Sequence, residues 1–146
     1  MKKYIIFATI SFFISINAWA QVKNNTTDAV AIKQLLQMQI KAWNNGNIEG
    51  YMQGYWQHDS LMFVSKSGIT YGWQNTLNNY KKGYPNAASM GTLKIDIERM
   101  QQLDGVNFFM VGKWYLVKNS ENINGVFTLL FKKIKGKWVI VTDHSS

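Results

Sequence analysis

The groups able to do chemistry fall in two small clusters: His58 beside Asp59, and Asp143 beside His144. An imidazole titrating near about 6.5 suits proton transfer at neutral pH. A carboxylate becomes a general base once burial raises its pKa. His144 and Asp59 are therefore the candidate catalytic residues. Trp138, Ile140, Thr142 and His144 share one strand parity, which turns the imidazole inward with its apolar neighbours. The alternative is a histidine bonded to backbone or hydroxyl groups that merely closes a sheet. Asp59, between a helix and a strand, equally suits a turn. Arg99, the single arginine, shares the parity of Leu93, Ile95 and Ile97. Facing inward, its guanidinium could grip a carboxylate or phosphate; a bulge, or the end of the apolar face, would leave it in solvent.

Much chemistry is excluded. The chain has no cysteine, so a disulfide framework, a thiolate nucleophile and an iron–sulfur cluster are ruled out. Two histidines without H-x-H or HExxH spacing argue against a metal site, and no cofactor is expected. The strained G-x-S-x-G turn of serine hydrolases is missing, as are phosphate-cradling glycine loops. The lysines are scattered, the densest run being Lys132, Lys133, Lys135 and Lys137 around Gly136, so no nucleic-acid partner is expected. Six Trp, seven Tyr and eight Phe exceed what a small core usually needs. Trp56, Tyr71, Trp73, Tyr80 and Trp114 are candidates to line a cavity, with apolar bodies and polar tips, or to form a subunit interface.

These residues must be positioned by one domain, since 146 residues leave no room for a second sizeable core. Residues 1–20 read as a signal peptide, with Lys2 and Lys3, an apolar run from Tyr4 to Ile16, and small residues before a cut after Ala20. The run is shorter than the roughly 20 residues of a membrane-spanning helix, so no stable membrane anchor is expected and the product would be periplasmic or secreted. Removing Lys2 and Lys3 lowers the formal charge from +8 to +6. Residues 21–27 read as a flexible arm and 28–146 as the domain.

Thr27 can cap a first helix, with Asp28 in its first turn and Ile32, Leu35, Leu36, Ile40 and Trp43 on one face. Gly46 ends it, and Asn47 opens a second helix to about Gln57, whose Gly50 and Gly54 could form a flat packing face. Leu61–Val64 and Ile69–Tyr71 read as a hairpin, and Trp73–Tyr84 as a third helix stopped by Pro85. From Thr92 the chain reads as four long strands, with an Asp104-Gly105 turn. The class is α+β: a cone-shaped, curved antiparallel sheet packed by three N-terminal helices.

With the elements in this order, two stretches resemble the SnoaL-like, nuclear transport factor 2-like superfamily. Ala42-Trp43-Asn44-Asn45-Gly46-Asn47, running on to Phe63-Val64, is similar to its opening helical pair and first strand. Tyr71-Gly72-Trp73 is similar to the turn before its third helix, and Trp138 to Ser146 to its closing W-x-I-x-x-x-H-x-S strand. That ending also resembles the association domain of calcium/calmodulin-dependent kinase II. The resemblance implies a cone with an apolar pocket, often dimeric through the outer sheet face, and marks Trp43, Asp59, Trp73, Trp138, His144 and Ser146 as motif positions. The ketosteroid isomerase members need an inward acidic base and a Tyr/protonated-Asp oxyanion hole. Neither Leu61–Val64 nor Val106–Val117 offers that acid.

The expectation is an exported domain, homodimeric, binding a small and largely apolar molecule through Trp43, Trp56, Tyr71, Trp73, Tyr80, Arg99, Trp114 and His144. The alternatives are a cofactor-independent isomerase, cyclase or dehydratase using His144 and Asp59, and a non-catalytic oligomerisation or interaction module.

Overall fold

A computed structural model describes residues 26–118 and 121–146. The leader and all but the end of the arm lie outside the described residues. The order is α1 (Thr26–Asn44), α2 (Ile48–Met52), β1 (Met62–Ser65), β2 (Gly68–Tyr71), α3 (Trp73–Gly83), α4 (Ala87–Met90), β3 (Thr92–Gln102), β4 (Asn107–Val117), β5 (Ile123–Ile134) and β6 (Lys137–Ser145). The sheet order is β2-β1-β6-β5-β4-β3. The class is α+β as expected, but the sheet is mixed and open: the short hairpin joins it through a parallel β1–β6 pair.

α1 begins at Thr26, so Thr27 lies inside the helix rather than capping it. The helix buries Ile32, Leu35, Leu36 and Trp43 against the sheet. Its start is fastened by Asp28, whose Oδ1 accepts from Trp138 Nε1 at 2.9 Å and Lys133 Nζ at 2.8 Å. At its end Asn44 mimics a strand neighbour: Oδ1 accepts from Leu93 N at 2.7 Å, and Nδ2 donates to Leu93 O at 3.2 Å. Both ends of the helix are thus held to the sheet by polar pairs, while its apolar face supplies the burial.

α2 is much shorter than its apolar pattern predicts. A Cβ on Gly54 would come within 2.4 Å of Gln39 Cδ on α1, so a larger residue there would have to displace the buried Gln39 side chain, whose Nε2 donates to Tyr51 O. Beyond it Tyr55 forms a parallel bridge to Ile140, with Ile140 N donating to Gly54 O and Trp56 N to Ile140 O, both at 2.9 Å. Sheet pairing captures the segment that periodicity assigned to helix. A fourth helix, α4, was not anticipated; Asn86 caps it, with Ser89 completing a capping box.

Two irregularities decide which side chains face the helices. β3 shifts register against β4 between Ile97 and Arg99, and β6 shifts against β5 at Val141, where Leu130 pairs with Thr142 but Phe131 with Ile140. An extra residue in a strand bends it and reverses the alternation beyond it. Gly112, also on the inner face, leaves room for the Phe127 ring, which a Cβ there would meet at 2.4 Å.

Candidate functional site

Between the helices and the inner sheet face lies a cavity of about 890 Å3. Its walls include Leu36, Phe63, Leu93, Ile95, Leu116 and Ile140, with Tyr51, Tyr55, Tyr80 and Asp143 as the polar cluster. This is the size of a pocket for one small organic molecule.

Asp143 is the acidic side chain among the lining residues, and it is only 3% exposed. Tyr55 donates its hydroxyl to Asp143 Oδ2 at 2.7 Å, and Ser145 Oγ donates to Oδ1 at 2.8 Å. The Tyr51 hydroxyl lies 3.2 Å from that of Tyr55, extending the network along α2 and the segment after it. Burial pushes the Asp143 carboxyl up to about 6, while the Tyr55 and Ser145 hydrogen bonds and the charge of His144 pull against that rise. Burial likewise pushes Tyr51 up to about 12 and holds Tyr55 and Tyr80 well above the usual phenol range. Near neutral pH the site therefore combines phenols that remain protonated donors with a carboxyl that exchanges its proton easily.

An aromatic cage surrounds this cluster. Trp43 meets Tyr51, Tyr80 and Tyr84 edge to face at centroid distances of 5.1, 5.9 and 4.8 Å. Its Nε1 donates to Met90 O at 3.2 Å, which fixes the ring. Each such pair adds about 0.5–1.5 kcal/mol to the burial itself, so the wall resists collapse.

Of the residues singled out from sequence, Trp43, Tyr80 and Trp114 line the cavity. The other candidates lie elsewhere. Trp56 stacks on His58 at 4.1 Å, outside the cavity lining. Tyr71 is 58% exposed at the sheet edge. Trp73 sits beside the core and donates to Met52 O at 2.9 Å, tying α3 to α2. Asp59 is exposed in the turn before β1, where its backbone abuts Gly72.

Arg99 and His144 are both turned outward, contrary to strand parity. The bulge in β3 places Arg99 opposite Val111 on the outer face, where Nη2 donates to Gln101 Oε1 at 2.8 Å. The bulge in β6 sends Asp143 inward and leaves His144 exposed, paired across the sheet with Thr128 and Val64. Asp143, Tyr51 and Tyr55 are the site residues that the sequence reading does not pick out. The sequence signal for the tyrosines was their four-residue spacing, Tyr51 to Tyr55. Asp143 had no comparable signal, because its direction depends on the bulge. Among the described residues, no group of three His, Asp or Glu side chains is placed to hold a metal ion.

No family model matches the chain, and neither does any curated protein. Solved structures do match. A protein of unknown function from Shewanella oneidensis MR-1, described as NTF-2 like, is 44% identical, with a TM-score of 0.79, over 82% of this chain and 98% of that one. An NTF2-like protein of unknown function from Pseudomonas putida KT2440 is similar at 14% identity and TM-score 0.66, over 83% and 87% of the two chains. A putative calcium/calmodulin dependent protein kinase II association domain from Xanthomonas campestris is similar at 17% identity and TM-score 0.61, over 79% and 84%.

Proposed function

Since the chain belongs to the nuclear transport factor 2-like family, we propose that its cavity binds a small, largely apolar molecule bearing one polar oxygen. The observation that carries this reading is a buried Tyr51–Tyr55–Asp143 network on the wall of an otherwise mainly apolar cavity. Buried polar groups orient a ligand because leaving them unmatched costs about 1–3 kcal/mol each. A ligand carbonyl or hydroxyl placed against Tyr55 and Asp143 would satisfy them.

One observation favours a catalytic version. A carboxyl near pH 6 beside a phenol that stays protonated is equipped to move a proton next to a carbonyl that the phenol polarises. Neither β1 nor β4 supplies such an acid; β6 does. In this reading Asp143 is the proton carrier, in place of His144 and Asp59, which lie outside the cavity lining.

Export and self-association belong to the same proposal. Residues 1–20 would direct the chain across a membrane and be removed after Ala20. The outer face carries Phe109, Val111, Leu130 and Val139, an apolar surface suited to a homodimer.

Native mass spectrometry of the purified protein tests the reading. We expect a dimeric ion, a non-covalent adduct that survives gentle desolvation, and loss of the adduct in Asp143→Leu with dimer retained. Val111→Lys should give a monomer that keeps the adduct. A ligand-free wild type that also fails to bind in a screen of apolar ketones, alcohols and acids would overturn the binding reading.

A further inference from the structure

Four aromatic rings and one acid close a circuit on the cavity wall. Phe63 on β1 pairs in register with Asp143 on β6. Its ring centroid lies 5.7 Å from that of Tyr80, Tyr80 lies 5.4 Å from Tyr51, and Tyr51 lies 5.7 Å from Tyr55. Tyr55 returns the path to Asp143 through its 2.7 Å hydrogen bond. Neighbouring rings are inclined at 76°, 68° and 57°, so they stand to one another as the walls of a box do. All five residues line the cavity.

The protons of this box are directed into the protein. Tyr55 gives its single hydroxyl proton to Asp143, so Tyr51 is the donor in the Tyr51–Tyr55 pair. Ser145 Oγ also donates to Asp143. The buried donors nearby are turned away from the space: Trp43 Nε1 to Met90 O, Gln39 Nε2 to Tyr51 O and Thr76 Oγ1 to Gly72 O. Acceptors are left over. Each oxygen of an ionised carboxylate has two lone-pair sites, and Asp143 Oδ1 and Oδ2 each receive one of these bonds. The box therefore suits a ligand that donates.

Charge points the same way. Burial raises the Asp143 carboxyl to about 6, so above that pH the box holds a carboxylate whose hydrogen-bond partners are neutral hydroxyls. The cation that acts on it is His144, exposed on the opposite face of the sheet. Lys66 and Lys82 line the cavity too but are exposed, and in solution such charges are screened within about 8 Å. Aromatic rings attract cations over their faces, more strongly once water is excluded. Among the described residues no group of three His, Asp or Glu is placed to hold a metal, so the fitting cation is organic.

We infer that the box takes the ammonium group of a small organic amine, its N–H bonds directed to the free lone pairs of Asp143 and its charge set against the rings of Phe63, Tyr80 and Tyr51. The apolar body of the amine fills the rest of the cavity. This rests on the reading that the cavity binds a small, largely apolar molecule, and gives that molecule a protonated nitrogen. The fold has already taken the carboxylate out of water, so a cation brought to it relieves a charge that is otherwise buried without a counter-ion beside it.

Isothermal titration calorimetry with three ligands of one rigid apolar body tests this: 1-adamantylammonium, 1-adamantanol and 1-adamantanecarboxylate. Near pH 7.5 wild type should bind the ammonium at least about tenfold more tightly than the alcohol, the scale of a desolvated charge-assisted contact, and the carboxylate most weakly. Asp143→Asn keeps an acceptor for Tyr55 but not the charge, and should abolish the preference; a cooperative melting transition checks that it is folded. Wild type supplies a second readout. Near pH 5 Asp143 is protonated while the amine stays charged and the tyrosines stay neutral, so the preference should fall roughly tenfold. His144 gains charge over the same range, and the fall should persist in His144→Ala. Equal binding of ammonium and alcohol, tighter binding of the carboxylate, or a preference that survives Asp143→Asn or the lower pH overturns the cationic group and leaves the apolar cavity reading standing. Failure of all three ligands to bind, with no adduct in native mass spectrometry, overturns the cavity reading as well.

Discussion

Asp143 and His144 are neighbours in the chain, yet they occupy two different environments. Asp143 is buried among hydroxyls on the inner face, its carboxyl pushed up to about 6 by burial. His144 is exposed on the outer face between Thr128 and Val64. Around Asp143 the inner face is a network of hydrogen-bonded hydroxyls from Tyr51, Tyr55 and Ser145. The outer face is a half-exposed apolar surface with scattered polar residues. One extra residue, Val141, decides which of the two titratable groups enters the site. The chemistry of the site thus rests on a backbone irregularity as much as on the acid itself.

The strongest way to break this difference is to exchange the two groups while the bulge is kept. The double variant Asp143→His/His144→Asp turns an imidazole inward and puts the acid on the outer face. That deprives Tyr55 of its carboxylate acceptor and sets an imidazole against Tyr51 and Phe63. We expect a loss of about 3–5 kcal/mol in urea unfolding, the scale of breaking a buried polar network. Ligand binding should be lost with it. An exchanged variant of near wild-type stability would show that the bulge does not set the faces.

The next largest effect separates the two groups by charge. The folded protein holds the Asp143 proton more tightly than the unfolded chain does, so deprotonation favours unfolding. Stability from this group is fully present below the ordinary value of 3.8 and is lost as pH rises through about 6. A shift of roughly two units corresponds to about 3 kcal/mol. Asp143→Asn, which can still accept from Tyr55, should flatten the decline in stability between about pH 4 and 7 and be the more stable protein at pH 7. Chemical denaturation at intervals of pH measures it. A wild type with no such slope would mean that Asp143 is not buried.

These two cases show why the helices and strands were legible in sequence while the site was only half so. The four long strands and α1 announce themselves by period, because burial on one face imposes it on the residue types. The aromatic wall was legible for the same reason in Trp43, Tyr80 and Trp114. What parity cannot report is a register shift. Arg99 and His144 were both placed inward by counting alternate residues, and both lie beyond a bulge. Tyr55 was hidden differently. Its helical spacing from Tyr51 is real, but its position is set by a bridge to Ile140, a contact 85 residues away in sequence. Local pattern carries no record of such a contact.

The smallest effects belong to the outer face and sharpen the comparison by contrast. Arg99→Ala and His144→Ala remove exposed side chains, so each should change stability by no more than about 0.5 kcal/mol. Neither should alter ligand affinity, because neither residue lines the cavity. His144→Ala should nevertheless leave one trace inside. The His144 charge is the last of the influences that hold the Asp143 carboxyl down, so its removal should move the Asp143 titration slightly upward. The midpoint of the stability–pH curve would follow, with its amplitude kept. Asp143→Asn removes the amplitude itself, and the two variants therefore separate a group that titrates in the site from one that senses it through the sheet. If His144→Ala abolished binding while the protein stayed folded, the imidazole would have to reach the cavity, and the division between the faces would fail.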